Sequence, residues 1–153
     1  MNNPQITQWS WLQFSEISVD DMYDLLKLRQ DVFALEQECL YPDIDGIDRK
    51  AWHVLGKGEE GNLCAYSRVV WPGFRFDEPS IGRVVTAQQH RMAGWGRELM
   101  QFSIAQTKQT FPGAAIRISA QAQLEKFYLS LGFSVVSEPY DEDGIPHIEM
   151  LLL

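Results

Sequence analysis

A short segment with two glycines and two arginines has the residue types best suited to binding an anion. Arg91-Met92-Ala93-Gly94-Trp95-Gly96-Arg97 follows a β-branched stretch and precedes a run with helical spacing. The start of a helix exposes unpaired N–H groups and the positive end of the helix dipole, which together attract phosphate. Gly94 and Gly96 leave room for a pyrophosphate to approach the backbone, while Arg91 and Arg97 supply charge-assisted hydrogen bonds. Neither the ending of a P-loop nor the third glycine of a dinucleotide fingerprint is present, so a tight strand-to-helix turn is the alternative interpretation.

Tyr128 is the second residue of interest. It lies four residues before Gly132, on the apolar face of a segment with helical spacing. Its position predicts a packed core tyrosine.

The two cysteines, Cys39 and Cys64, lie 25 positions apart and have no CxxC spacing. This pattern indicates neither a disulfide framework nor a zinc site, and we expect reduced thiols in a reducing compartment and no bound metal. No histidine near either cysteine in the sequence would activate it as a nucleophile, so both are predicted to be packed thiols.

Several side chains could act as a general base. His147 and Glu149 alternate on the closing strand and therefore share a face of it, which could be the substrate side. Histidine suits a base near neutral pH, although a hydrogen-bonded structural histidine is an equal alternative. The complete set of candidates is Glu38, Asp45, His53, His147 and Glu149.

The segment Tyr41–Asp48 contains three aspartates around a glycine. Asp43, Asp45 and Asp48 have the composition of a turn around Gly46, but lack the glycine placement and distal glutamate of a calcium loop. We interpret them first as turn formers and second, compatibly, as an acidic surface that attracts a cationic amine.

The elements that must position these residues follow from the spacing of apolar side chains. Helical spacing predicts helices from Ser18 to about Gln37, from Gly94 to Phe111 and over Gln121–Leu131. The order predicts an α/β fold in one domain spanning 1–153, with a mixed central sheet that is antiparallel first and parallel in the middle, flanked by helices. The predicted strands are Trp9–Phe14, Trp52–Gly56, Leu63–Trp71, Ser80–Thr86, Ala114–Ile118, Phe133–Val136 and Ile145–Leu153.

Composition narrows the classes of protein. The 153 residues are 45% hydrophobic and 22% charged, which is typical of globular proteins. Thirteen basic against twenty-one acidic residues give a net charge of −8, which argues against a nucleic-acid partner. No stretch reaches 18 consecutive apolar residues and no signal peptide is visible, so we expect a cytoplasmic protein with no membrane partner.

Two motifs in order resemble the GNAT superfamily of acetyl-CoA-dependent N-acetyltransferases. Arg91-Met-Ala-Gly-Trp-Gly96 is similar to its R/Q-x-x-G-x-G/A signature, and Gln121–Phe133 resembles its second motif, which ends in tyrosine, three residues and Gly-Phe. More narrowly, LLKLRQDVFALEQECLYPDIDGID, SIGRVV, AQAQLEKFYLSLGF and YDEDGIPHIEM resemble the ElaA-type subgroup along nearly the whole chain.

The resemblance implies a donor site. The central strands would splay apart, with the pantetheine arm pairing with the backbone of Val84, Val85 and Thr86, and an N–H near Val84 or Val85 would polarise the thioester carbonyl. The pyrophosphate would bind the N–H groups of Arg91, Met92, Ala93, Gly94, Trp95, Gly96 and Arg97. Gln121 stands where the family usually has an asparagine that touches the pantetheine, and Tyr128 would protonate the leaving thiolate.

The resemblance also implies a reaction, in which a neutral primary amine of a small molecule or peptide attacks the acetyl carbonyl directly. Glu38, Asp45 and His147 are the candidate acceptor-binding residues. A non-catalytic acyl-CoA-binding or regulatory module with the same fold is the alternative, and an interaction protein using exposed aromatic residues is a third. A monomer and a homodimer are both compatible with the sequence.

Overall fold

The computed structural model describes residues 5–39, 41–87 and 94–153. Within these ranges the chain forms eight strands, three α-helices and several short helical turns. The strands are β1 (Ile6–Gln13), β2 (Ala51–Gly58), β3 (Leu63–Val70), β4 (Ser80–Thr86), β5 (Ile116–Gln121), β6 (Ser134–Val135), β7 (Tyr140–Glu142) and β8 (Ile145–Leu152). The α-helices are α1 (Val19–Arg29), α2 (Trp95–Thr110) and α3 (Glu125–Ser130).

All eight strands belong to one sheet. Its order is β1-β2-β3-β4-β5-β8-β6, and β7 also pairs with β8. Strands β1 to β4 are antiparallel neighbours, β4 and β5 are parallel, and β8 is antiparallel to β5, β6 and β7. The expected mixed sheet, antiparallel at first and parallel in the middle, is therefore confirmed.

Helices cover both faces of the sheet. On β2, Val54 belongs to a cluster with Leu99 of α2, whereas the next residue, Leu55, belongs to a cluster with Leu25 of α1. Successive side chains of a strand point to opposite faces, so α1 and α2 pack on opposite sides. Tyr128 of α3 shares a third cluster with Met100 of α2, which brings α3 close to α2.

The first helix changes its hydrogen-bonding pattern part of the way along. Ser18 caps α1 by accepting a hydrogen bond from the Asp21 N–H at 3.1 Å, as the capping pattern predicts. The α-helix ends at Arg29, and residues Gln30–Glu36 continue as a π-helix. The segment predicted as one helix up to Gln37 is therefore helical over most of its length, but only its first part is an α-helix.

Among the predicted boundaries that differ from the structure, two bear on the site. Gln121 ends β5 instead of beginning the next helix, because residues Ile116–Gln121 pair continuously with β8. The acidic segment after Pro139, predicted as a turn alone, contributes β7, which forms a hairpin with β8. Among the described helices, none is both long and apolar enough to cross a membrane.

Candidate active site

A cleft opens where the two parallel strands separate. β4 and β5 pair only at Ser80 and Arg117, so among the described residues no strand pairs with most of the β4 backbone that faces β5. A cavity of about 310 Å³ fills this region. Its lining includes Ile81, Gly82, Arg83 and Val84 from β4, Ile118, Ser119, Ala120 and Gln121 from β5, Tyr128 from α3, and Arg75, Glu142, Asp143, Ile145 and His147 from the surrounding segments.

A β-bulge shapes the β4 wall of the cleft. Arg68 of β3 pairs with Gly82, and Tyr66 pairs with Val85, so one residue of β3 lies opposite two residues of β4. Arg83, one of those two, has a left-handed φ of 50°. A bulge interrupts the ladder and re-aims the backbone locally. Within the predicted donor strand, Val84 lines the cavity, Val85 packs into the core beside Tyr66, and Thr86 is half-buried.

Tyr128 lies in the wall of the cavity. Its ring packs edge-on against Phe127 and Phe133, with centroid distances of 5.1 and 5.9 Å. Burial raises the pKa of Tyr128 to about 12, so its hydroxyl stays protonated at neutral pH. Tyr128 is therefore both the predicted core tyrosine and a proton-bearing group at the cleft.

His147 lies beside the end of β5. It pairs in register with Gln121, and both line the cavity. The Nδ1 atom of His147 is 2.8 Å from the Ile145 carbonyl oxygen, which can only accept, so Nδ1 carries a proton. Its Nε2 atom is 3.1 Å from Oε2 of Glu142, and its ring stacks on Tyr140 at 6.2 Å. The side-chain Oε1 of Gln121 accepts a 2.8 Å hydrogen bond from Gln123.

The other candidate bases lie outside the cavity lining. Glu149 lies two residues after His147 on β8. It does not line the cavity, and its Oε1 is 3.7 Å from Arg117. Glu38 is exposed, although its neighbours Gln37 and Cys39 line the cavity. His53 is fully buried, and burial lowers its pKa. Its Nε2 donates to the Asp48 carbonyl and its Nδ1 accepts from the Tyr66 hydroxyl, so it is a structural histidine.

The three aspartates of the 41–48 loop are held by three arginines. Asp45 forms a bidentate pair with Arg68, with both N–O distances 2.9 Å. Arg68 and Arg29 both donate to Oδ1 of Asp48, at 3.0 and 2.8 Å. Arg29 and Arg68 are almost completely inaccessible to solvent. Asp43 pairs with Arg29 and with Arg83, both at 2.8 Å, and Asp45 is 3.4 Å from Arg83.

This network balances the charge of the loop. Three carboxylates face three guanidinium groups, so the aspartates contribute no excess negative charge to the cleft. The interpretation of the loop as an acidic surface that attracts a cationic amine therefore loses its electrostatic basis. The turn interpretation fits, because Oδ1 of Asp45 also accepts a hydrogen bond from the Ile47 N–H at 3.0 Å.

We expect the network to make stability depend on acidic pH. Burial acts to raise the pKa of Asp45, but hydrogen bonds from Arg68 and Ile47 and the charges of Arg68 and Arg83 outweigh it and lower the pKa to about 2. A carboxyl with a lowered folded-state pKa contributes stability above its unfolded value, here near 3.8, and loses it as the pH falls toward 2. In urea unfolding between pH 6 and pH 2.5, the stability difference between wild type and Asp45→Asn should shrink with falling pH. A constant difference would contradict this assignment.

Helix α2 is the next described element after β4 along the chain. Gly94 precedes the helix with a left-handed φ of 80°, and a Cβ atom at Gly94 or Gly96 would meet no atom of the described residues within 4 Å. Trp95 is buried in the core. Arg97 donates a 2.8 Å hydrogen bond to Ser130 Oγ of α3, an interaction that the anion-binding prediction did not include. Arg91, Met92 and Ala93 lie outside the described residues, so that part of the predicted site stays a prediction.

Both cysteines are largely buried, and burial raises the pKa of each thiol. This agrees with packed thiols, although Cys39 also lines the cavity.

Several cavity residues were not anticipated from the sequence. The sequence alone indicates no role for Arg83 or Glu142, and it places Tyr41 only within a turn. The strand pattern around Arg83 carries no sign of a bulge, since an arginine with positive φ has no local signature. The Tyr140–Glu142 run beside Gly144 was a weak hairpin signal that could have brought Glu142 close to His147.

Comparisons with known proteins agree with this architecture. Residues 52–153 match the family profile described as an acetyltransferase (GNAT) domain. The chain belongs to the GNAT acetyltransferase family.

Particular relatives are similar along nearly the full length. Protein ElaA of Escherichia coli is 41% identical over 146 residues, covering 94% of both chains, and a UPF0039 protein of Synechocystis is 44% identical over 143 residues, covering 94% of this chain and 93% of the relative. The crystal structure of an acyl-CoA N-acyltransferase from Pseudomonas aeruginosa superposes with a TM-score of 0.91 at 34% identity, covering 95% of this chain and 99% of that one.

Proposed function

We propose that this protein transfers an acetyl group from acetyl-CoA directly to a primary amine of a small molecule or peptide. The observation that carries the proposal is the cleft between β4 and β5, with a β4 edge that no described strand pairs with on one side and the protonated Tyr128 in its wall. Membership of the GNAT family supports acyl-CoA as the donor class. The choice of acetyl as the acyl group, and of an amine as its acceptor, is our proposal.

The described residues fit such a donor. A pantetheine arm carries amide groups that can pair with the β4 backbone as an added strand would. No described atom lies within 4 Å of a Cβ position at Gly94 or Gly96, which would let a pyrophosphate approach the N–H groups that begin α2. Gln121 would reach the same arm from the end of β5.

The reaction needs three groups from the protein. As the amine nitrogen bonds to the acetyl carbon, a backbone N–H near Val84 or Val85 would stabilise the charge that develops on the carbonyl oxygen. The carbon–sulfur bond then breaks, and the Tyr128 hydroxyl would donate its proton to the leaving thiolate. The proton lost from the amine would pass to a base. No covalent intermediate on the enzyme is required, since orientation and polarisation suffice.

His147 is the proposed base that the geometry supports best. It lines the cavity, and its Nδ1 is bonded to the Ile145 carbonyl, so a proton would be exchanged at Nε2. Nε2 lies 3.1 Å from Oε2 of Glu142, so it would have to leave that carboxylate to reach the amine. Glu149 and Glu38 do not line the cavity, so either would need an intervening group to take the proton from the amine. Asp45 is occupied by Arg68, so a role in acceptor binding would require displacement of that ion pair.

The donor-binding half of the proposal predicts a stabilised protein. Acetyl-CoA at about 100 times its dissociation constant should add about 2.7 kcal/mol to the free energy of unfolding, measured as a rise in melting temperature. Gly94→Asp should abolish the rise, because the carboxylate obstructs the site and repels the pyrophosphate.

Gly113→Asp is the matched control. Gly113 also has a left-handed φ, 81°, with open space around it, but it follows the C-terminal end of α2. The same strain and charge are introduced there away from the cleft, so the acetyl-CoA response should survive. No response in wild type, or equal loss in both variants, would contradict the site.

The catalytic half of the proposal is tested by measuring the release of coenzyme A in the presence of each member of a panel of primary amines. Release with at least one amine, dependent on acetyl-CoA, is the expected result. Stabilisation by acetyl-CoA without release for any amine would instead favour a non-catalytic acyl-CoA-binding module. Because the loop network is charge-balanced, the panel should include cationic, neutral and anionic amines at low and high salt.

A further inference from the structure

We infer that the 41–48 loop acts as a clamp on the β4 bulge, with Arg83 as a positioning residue for the proposed acyl transfer. This inference rests on the proposed function, since it concerns the backbone that would polarise the thioester carbonyl. It assigns to Asp43 and Asp45 a role other than substrate attraction. Neither aspartate lines the cavity, whereas Arg83 does.

The bulge is held in a conformation that its sequence does not favour. Arg83 has φ of 50°, which costs a non-glycine residue free energy relative to an ordinary strand conformation. Its neighbours Gly82 and Val84 both line the cavity, so a return of Arg83 to regular strand geometry would change which backbone groups face the cleft. Some interaction must therefore keep Arg83 in place.

The clamp supplies that interaction through the arginine side chain. The Nε atom of Arg83 is 2.8 Å from Oδ1 of Asp43, and its Nη2 donates to the Asp43 carbonyl at 3.2 Å. Asp45 lies 3.4 Å from the same Nη2, and the guanidinium lies 5.0 Å from the centre of the Tyr41 ring. Arg83 is thus contacted by three residues of one loop.

The loop itself is anchored to the core and can resist movement. Arg29 donates to the Asp43 carbonyl at 2.7 Å and to the Asp43 carboxylate at 2.8 Å, and Arg68 holds Asp45 with two hydrogen bonds. Both arginines are buried, and they belong to α1 and β3. The chain of contacts therefore runs from the core through the loop to the cleft wall.

Two single variants and their combination test the clamp. Arg83→Gly removes the side chain that the loop contacts but accepts a positive φ without strain. Asp43→Asn weakens the ion pair with Arg83 from outside the cavity. We expect faster amide hydrogen exchange in peptides covering residues 80–87 of either variant without ligand. We also expect kcat to fall about 10- to 100-fold, as misplacement of reacting groups does. The double variant should lose no more than the larger single loss, because both changes break one link.

The readouts separate a positioning role from a structural or a binding role. Unchanged exchange at residues 80–87 overturns the clamp. Faster exchange with unchanged kcat overturns its role in catalysis, as does a kcat loss that is additive in the double variant. A loss confined to Arg83→Gly and seen in the KM for the amine would mean direct substrate contact. If wild type releases no coenzyme A with any amine, the proposed function fails first, before any variant is compared.

Discussion

Replacing Tyr128 by phenylalanine should lower kcat by about 10²- to 10⁴-fold, which is the range typical of general acid catalysis. The substitution removes only the hydroxyl, so the edge-on packing against Phe127 and Phe133 is retained. The affinity for acetyl-CoA, measured by titration calorimetry without an amine, should change little. The split between turnover and binding distinguishes a proton donor from a residue that only shapes the cleft.

A second buried phenol provides the control for Tyr128. The Tyr66 hydroxyl is hydrogen-bonded to His53 at 2.7 Å, and Tyr66 does not line the cavity. Tyr66→Phe should lower the melting temperature, because His53 loses its partner in a buried site, while kcat changes little. If Tyr128→Phe instead lowered the melting temperature and left kcat unchanged, Tyr128 would be a core tyrosine alone.

Replacing Asp48 by asparagine should cost about 3 kcal/mol of folding free energy. Oδ1 of Asp48 accepts hydrogen bonds from Arg29 and from Arg68, and both guanidinium groups are buried. Removing one charge from a buried ion network leaves the opposite charges undercompensated, which typically costs 3–5 kcal/mol. We take the lower end because Asp43 and Asp45 remain. For a chain of this length, about 3 kcal/mol lowers the melting temperature by about 6–12 °C.

Asp31→Asn is the corresponding exposed control. Asp31 pairs with Lys27 at 2.7 Å on the surface of the first helix, and both side chains are solvent-exposed. Exposed helical pairs of this kind contribute little to stability. Calorimetric melting of both variants should therefore show a large loss at position 48 and almost none at position 31. Similar losses at the two positions would show that burial does not control the strength of this network.

The buried network also changes how the net charge of the protein should be interpreted. A net charge of −8 suggests attraction of cations to acidic loops. In the folded chain, however, the three aspartates of the 41–48 loop are neutralised by Arg29, Arg68 and Arg83, which come from other elements. The excess negative charge resides elsewhere, so acceptor selectivity has to be sought in the groups that line the cleft.

Much of the fold could be predicted from sequence because its signals are local. Ser18 followed by Asp21 marks a helix start through a hydrogen bond between neighbours, and Gly94 marks another through a backbone conformation that glycine favours. The position of Tyr128 on an apolar helical face follows from the 3.6-residue period. Similarity to GNAT motifs then indicated the separation of β4 from β5, which periodicity alone does not.

The amino-acid sequence by itself determined the order of most elements, the family motifs and the apolar helical face that carries Tyr128. Tertiary structure decided the roles of the charged residues. Asp43, Asp45 and Asp48 look alike as turn formers, and only the folded chain brings them against arginines from α1, β3 and β4. The bulge at Arg83 and the contact of Glu142 with His147 arose in the same way. The physical reason is that helix starts and apolar periods depend on neighbouring residues, whereas ion pairs and strand register depend on distant segments that meet only on folding.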